Sequence, residues 1–138
     1  YDEDSGWHVS TSGNIDACDS ELQFQKDELQ NYEDLFFLAF GSRDRFKTLN
    51  KKYTYMFELV SPYNRVIVPY KKTELYLLSI RDNETLKELS SSDVNRINDE
   101  LKFKRPKILL CRNMKEGKKT STEIFVQVLK ILSLPCLA

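Results

Sequence analysis

Apolar positions recur along this chain with two different periods. Through residues 6–12, Trp7, Val9 and Thr11 alternate with polar or small neighbours and Gly13-Asn14 follows, a pattern that predicts a strand ended by a tight bend. From residue 20 to residue 49, Leu22, Leu29, Tyr32, Leu35, Phe36, Phe40, Phe46 and Leu49 fall near helical spacing, interrupted by Gly41-Ser42, so two helical pieces are predicted. Three β-rich stretches come next, residues 53–60, 66–70 and 74–81, joined by short polar connections that favour antiparallel neighbours in one sheet. Residues 90–93 then offer N-caps for a helix with Val94, Ile97 and Leu101 on its apolar face, and Lys104-Arg105-Pro106 stops it. Residues 108–111 read as a short buried strand and 112–119 as a basic connection. Residues 123–132 stay open between helix and strand, because Thr120 and Glu123 have capping-box spacing while β-branched residues favour a strand.

These elements predict an α+β fold: an antiparallel or mixed sheet through residues 53–82, flanked by helices from 21–49 and 91–102. The length, 138 residues, suits one domain, and no repeat or low-complexity linker divides it. With 41% hydrophobic and 30% charged residues the chain can form a core, which argues against disorder. Lys plus Arg and Asp plus Glu are equal at 21 each, so any attraction to nucleic acid must use a local patch rather than an overall field. Two such patches occur, Lys71-Lys72 beside Tyr70, and Lys102, Lys104, Arg105 and Lys107 around Phe103, an interleaving compatible with a single-stranded nucleic-acid surface and equally with solvated loops. No apolar run approaches the roughly 20 residues of a membrane span.

Cys18, Cys111 and Cys136 are odd in number and widely spaced, which supports neither a disulfide framework nor a zinc knuckle and favours a reducing, intracellular compartment. His8 is the single histidine, so catalytic triads and poly-histidine metal sites lack their parts. The opening YDEDSGW resembles neither a signal peptide nor a natural start, and the chain is expected to begin within a longer protein. Phosphate-loop, dinucleotide, hydrolase-elbow and zinc-protease motifs are missing. One acid stands out: Glu58, between Phe57 and Leu59 in an otherwise apolar strand. A carboxylate there must meet water, a cation or a ligand hydroxyl, since burying it unpaired costs several kcal/mol. Arg65 and Arg81, at strand boundaries, could grip phosphate or form ordinary surface pairs.

The block Tyr55-Met56-Phe57-Glu58-Leu59-Val60-Ser61-Pro62-Tyr63-Asn64-Arg65-Val66-Ile67-Val68-Pro69-Tyr70, with Leu75-Tyr76-Leu77-Leu78-Ser79-Ile80-Arg81 after it, resembles motifs III and IIIa of the tailed-phage ATP-dependent RNA ligases that repair cleaved tRNA, members of the covalent nucleotidyltransferase superfamily. Residues 7–17 resemble the strand and turn of motif Ia, and Arg105-Pro106-Lys107-Ile108 the segment before motif IV. The resemblance implies an ATP-grasp-like nucleotidyltransferase domain, of which residues 1–138 would be a part. It implies a three-step reaction: a lysine attacks the α-phosphate of ATP, AMP passes to an RNA 5′-phosphate, and an RNA 3′-hydroxyl displaces AMP, with Mg²⁺ balancing the charge. On that pattern Glu58 contacts the AMP ribose, Tyr76 and Leu77 pack the adenine, and Arg65 and Arg81 order the site. Glu123 would be the Mg²⁺-linked acid and Lys130 a phosphate-binding lysine, matched through Glu123-Ile124-Phe125-Val126-Gln127-Val128 and Lys130-Ile131-Leu132-Ser133.

The sequence departs from that pattern at definite places. The nucleophile belongs to a K-x-D-G-S segment upstream of motif Ia, and no lysine precedes Lys26. Ser12 or a neighbour replaces the basic residue at the end of motif Ia; Ile124 and Leu132 replace a glycine and a second lysine in motifs IV and V. The expectation is therefore a fragment of an RNA ligase, with ATP and Mg²⁺ as cofactors and RNA as partner, monomeric, intracellular and compatible with phage origin, inactive without the lysine segment. The alternative is a catalytically dead ligase-like domain that still binds nucleotide or RNA. An unrelated α+β interaction module would leave the motif III block to chance.

Overall fold

The computed structural model describes residues 1–26, 28–63 and 70–107. The chain divides into two compact units, Tyr1–Pro106 and Lys107–Ala138, and every element described here belongs to the first. In order these are β1 (Glu21–Lys26), β2 (Leu29–Asn31), α1 (Tyr32–Phe40), a 3-10 helix (Arg43–Thr48), β3 (Tyr53–Val60), β4 (Glu74–Asp82) and α2 (Ser91–Leu101), preceded by a 3-10 turn at Ala17–Asp19. The fold is α+β, with two antiparallel pairs, β1–β2 and β3–β4, and flanking helices. It is consistent with part of a nucleotidyltransferase domain.

Two expectations are corrected. The first predicted helix is in fact split: Glu21-Leu22-Gln23-Phe24-Gln25-Lys26 alternates with period two, and it pairs with β2 instead of coiling. The helix begins only where Asn31 caps it, accepting from the Asp34 amide while the Asp34 carboxylate accepts from the Asn31 amide. Gly41, with φ of 97°, ends it in a conformation that costs other residues dearly. The predicted strand at residues 6–12 is not a ladder strand: among the described residues its one β pairing is the isolated bridge of Gly6 to Asp2. It is held by single bonds, the Ala17 amide to Val9 O at 2.9 Å and the Thr11 amide to Asn14 O at 2.9 Å, the latter closing the expected Gly13-Asn14 turn.

The remaining predicted elements within the described residues lie close to their expected places. Strand β3 has its predicted bounds, and β4 runs one residue further. In α2 the Ser90 hydroxyl caps the Asp93 amide, Val94 is buried, and Ile97 and Leu101 pack on the core. The helix stops before Lys104, at Lys102, which takes a left-handed conformation (φ 62°). Just beyond, Asn98 clasps Phe103 reciprocally, Nδ2 donating to its carbonyl at 2.8 Å and Oδ1 accepting from its amide at 2.9 Å, which turns Phe103 into the core. Tyr70 lies outside any strand. The rest of the expected strand at 66–70, and those at 108–111 and 123–132, fall outside the described residues.

The core is aromatic. Phe40 is 1% exposed and its ring centroid lies 4.9 Å from Phe36, 4.9 Å from Phe46 and 5.9 Å from Phe103. Trp7 stacks on Phe46 at 5.7 Å, which ties the N-terminal segment to the 3-10 helix. Such pairs add about 0.5–1.5 kcal/mol each beyond the area they bury. From β3, Tyr53, Tyr55, Phe57 and Leu59 pack against this core, and from β4, Leu75, Leu77 and Ile80 belong to it.

Leu77 and Ile80 cannot both face inward on a regular strand, since their spacing of three is odd. A β-bulge resolves this: Met56 pairs with Ser79 and Phe57 with Leu77, leaving Leu78 without an opposite residue. The bulge keeps both inner rows in phase, Tyr55 with Ile80, Phe57 with Leu77 and Leu59 with Leu75. Arg105 braces it, with Nη1 donating to Leu77 O at 2.6 Å and to Leu78 O at 2.7 Å and Nε to Asn95 Oδ1 of α2 at 3.1 Å.

Candidate functional site

With the inner rows fixed, alternation sets the outer row of the β3–β4 pair: Thr54 opposite Arg81, Met56 opposite Ser79, Glu58 opposite Tyr76, Val60 opposite Glu74. Glu58 is exposed and makes no side-chain hydrogen bond among the described residues. Tyr76 stands across from it, half-buried, at the Cβ separation of about 5 Å usual for a directly opposed pair.

Tyr76 is held in place. Its hydroxyl donates to Glu74 Oε2 at 2.8 Å, and Lys104 Nζ donates to Glu74 Oε1 at 2.5 Å. Lys104 reaches this position because its carbonyl accepts from the Leu77 amide at 2.8 Å, extending β4 by one parallel bridge. The Lys104 ammonium, and then the Tyr76 hydroxyl, hold the Glu74 carboxyl below the usual carboxylate range. The same carboxylate raises Tyr76 and Lys104 above their ordinary values, each through its hydrogen bond. The phenol therefore stays a donor through neutral pH.

A cavity of about 560 Å³ lies between the segment at residues 7–12 and β3, lined also by core side chains such as Phe36, Phe40, Phe46 and Leu75 and not by Tyr76. Consecutive β3 residues from Thr54 to Leu59 line it, so it runs along the strand edge that β4 does not occupy. Glu58 is at its margin, and His8, Ser10 and Ser12 bring polar groups to the opposite wall. The His8 ring is bonded to Ser5 Oγ at 2.7 Å.

The structure thus brings together Glu58 and Tyr76 among the residues expected from the sequence. Leu77 goes elsewhere: it is fully buried in the core, on the strand face opposite Tyr76. Arg81 shares the outer row with Glu58 but stands opposite Thr54, about 13 Å along the strand at 3.3 Å per residue, beyond contact with the same sugar. Arg65, Glu123 and Lys130 lie outside the described residues. Sequence reading missed the bracing of Tyr76 by Glu74 and Lys104; the i, i+2 spacing of Glu74 and Tyr76 in a strand was its available half, and the contact with Lys104 depends on tertiary structure.

Among the described residues, Asp16, Cys18 and Glu33 have potential ligand atoms within 4.8 Å of one another. Asp16 already accepts from the Cys18 amide at 3.2 Å, and it pushes the Cys18 thiol up to about 11, which keeps the sulfur protonated. No helix among the described residues is long and apolar enough to cross a membrane.

Comparison with known proteins agrees with the resemblance read from motif III. An RNA ligase of Rhodothermus phage RM378 is 34% identical over 87 residues, an alignment taking in 59% of this chain and 19% of the relative. The chain thus matches about a fifth of that relative's length. A family model described as RNA ligase matches residues 7–128, a span containing β1 to β4 and both α-helices, and the chain belongs to the RNA ligase family.

Proposed function

We propose that this chain is part of the adenylyltransferase domain of an ATP-dependent RNA ligase, and that the outer row of β3–β4 holds the adenosine of ATP. The supporting observation is the opposition of Glu58, whose carboxylate has no hydrogen-bond partner among the described residues, to an aromatic ring, Tyr76, whose hydroxyl is already engaged. Ribose hydroxyls would donate to the Glu58 carboxylate, and the base would lie against the Tyr76 ring, where stacking and shape hold it. With its phenol committed to Glu74, Tyr76 offers its ring face at little further loss of side-chain freedom. The phosphates would then enter the cavity past Ser10 and Ser12, neutral donors where the family pattern has a cation. Leu77 supports this arrangement from the core side of β4.

ATP fits the residues present as far as its nucleoside is concerned: an exposed carboxylate, an aromatic face and a cavity that Glu58 also lines. Mg²⁺ would supply charge neutralisation at the phosphates, with Glu123 as its expected carboxylate, Lys130 as a phosphate-binding cation and Arg65 ordering the site. The parent enzyme would join RNA 5′-phosphate and 3′-hydroxyl ends, cleaved tRNA included, through lysyl-AMP and RNA-adenylate intermediates. This chain holds no K-x-D-G-S segment, so by itself it binds nucleotide without forming the covalent adduct.

Calorimetric titration with AMP tests the reading. Each hydrogen bond from a neutral donor to a charged acceptor is worth about 1.5–3 kcal/mol, so Glu58→Gln should weaken AMP about tenfold or more with an unchanged melting temperature. Wild-type affinity in Glu58→Gln would overturn it.

A further inference from the structure

The two basic patches of the sequence lie thirty residues apart in the chain, yet they meet in the fold. A hollow of about 420 Å³ is lined by Lys72 from one patch, Lys102 and Lys104 from the other, Arg45 from the 3-10 helix, and a single acid, Glu74. The chain as a whole is neutral, so this imbalance is local. Its cations are not equivalent. Arg45 is fixed, donating to Phe40 O at 2.9 Å and Leu101 O at 3.2 Å with its guanidinium 4.2 Å above the Phe103 ring. Lys104 is paired with Glu74. Lys72 and Lys102 are exposed and form no ion pair among the described residues. Asp99 and Glu100 precede Lys102 on α2 but do not line the hollow.

An anion entering here would normally be repelled by the carbonyl end of α2. Two of those carbonyls are already satisfied, Asn98 O by the Lys102 amide and Leu101 O by Arg45, which leaves cationic groups as the hollow's outward chemistry. Buried Leu75 and Phe103 supply low-dielectric walls that concentrate the field. Glu74 belongs both to this hollow and to the bracing of Tyr76, so the hollow adjoins the row proposed to hold adenosine.

We infer that this hollow binds the phosphodiester backbone of a single RNA strand, with Lys72 and Lys102 as its contacting cations and Arg45 as a fixed positive floor. The inference rests on the RNA ligase reading above and adds to it a separate surface for the polynucleotide. A backbone-directed site of this kind would be indifferent to base sequence and strongly salt-dependent.

The test is fluorescence anisotropy with a 5′-phosphorylated, labelled single-stranded RNA across a series of salt concentrations, on wild type and on Lys72→Gln/Lys102→Gln. Loss of two contacts should reduce the slope of log affinity against log salt by about 1.4, at about 0.7 per contact for a single strand, and weaken binding about tenfold or more at 0.1 M salt. Calorimetric AMP affinity and melting temperature should stay at wild-type values. The control Lys52→Gln/Lys87→Gln, the same charge change at exposed positions away from the hollow, should leave the RNA slope intact. Unchanged RNA affinity and slope in Lys72→Gln/Lys102→Gln would overturn the inference. So would an equal loss of AMP affinity, which would make the hollow a nucleotide phosphate site. Wild-type protein that binds AMP but no RNA would overturn this inference alone; wild-type protein that binds RNA but no AMP would overturn the adenosine reading alone.

Discussion

Glu58 of β3 and Tyr76 of β4 stand directly opposite each other on the face of the strand pair turned away from the aromatic core. The opposition depends on the bulge at Leu78, because the residues beyond it pair in a register one step different from those before it. An acid and a ring are thereby placed side by side, the acid lining a cavity and the ring tethered by Glu74 and Lys104.

Arg105 braces that bulge, so its removal should be felt in stability. Arg105→Ala should lower the unfolding free energy by about 2 kcal/mol in urea titrations, the scale for losing hydrogen bonds from a charged donor. Arg105→Lys should recover little, since an ammonium cannot reproduce the fork that reaches two carbonyls and Asn95 at once. Wild-type stability in Arg105→Ala would remove the brace from the account.

Leu77 separates core from site. Leu77→Ala should cost about 2–5 kcal/mol in unfolding free energy, as for other buried leucines, while the protein that remains folded keeps wild-type AMP affinity. Loss of AMP affinity at unchanged stability would instead place Leu77 against the base.

Cys18 should be a slow nucleophile. Asp16 raises its thiol to about 11, and a raised thiol value means less thiolate at a given pH. In a Cys111→Ser/Cys136→Ser background, iodoacetamide at pH 8 should alkylate Cys18 at least about tenfold more slowly than an ordinary exposed cysteine, given that a more basic thiolate regains part of the difference in reactivity. Asp16→Asn should speed the reaction. Rapid alkylation of the wild-type thiol, or no change with Asp16→Asn, would contradict this.

The cap of α1 is a local prediction. Asn31→Ala removes the side-chain acceptor for the Asp34 amide and should destabilise the fold by about 1 kcal/mol, measured by chemical denaturation.

Much of the central region was legible because its patterns are local. The run from Tyr53 to Val60 alternates and is rich in β-formers, and Ser90 with Val94, Ile97 and Leu101 carries both cap and stripe. Residues 21–26 misled because Leu22 and Leu29 are seven apart, a spacing that fits two helical turns even where the intervening residues alternate. The likeness of residues 6–12 to a strand came from alternation alone, and alternation cannot say whether a partner strand is there. Within the site, Glu58 was visible as an acid in an apolar strand, and Tyr76 through the motif IIIa resemblance. Whether Tyr76 or Leu77 shares the Glu58 face was not legible, because strand register and the bulge decide it. The meeting of Lys72 with Lys102 and Lys104 likewise requires the fold.

The most direct test of the adenosine reading is an AMP titration of ¹⁵N-labelled protein followed by amide chemical shifts. The expected result is a saturable set of shifts at Glu58, Tyr76 and residues 10–12, absent in Glu58→Gln. Shifts confined to other parts of the chain, with Glu58 and Tyr76 unmoved at saturation, would contradict it.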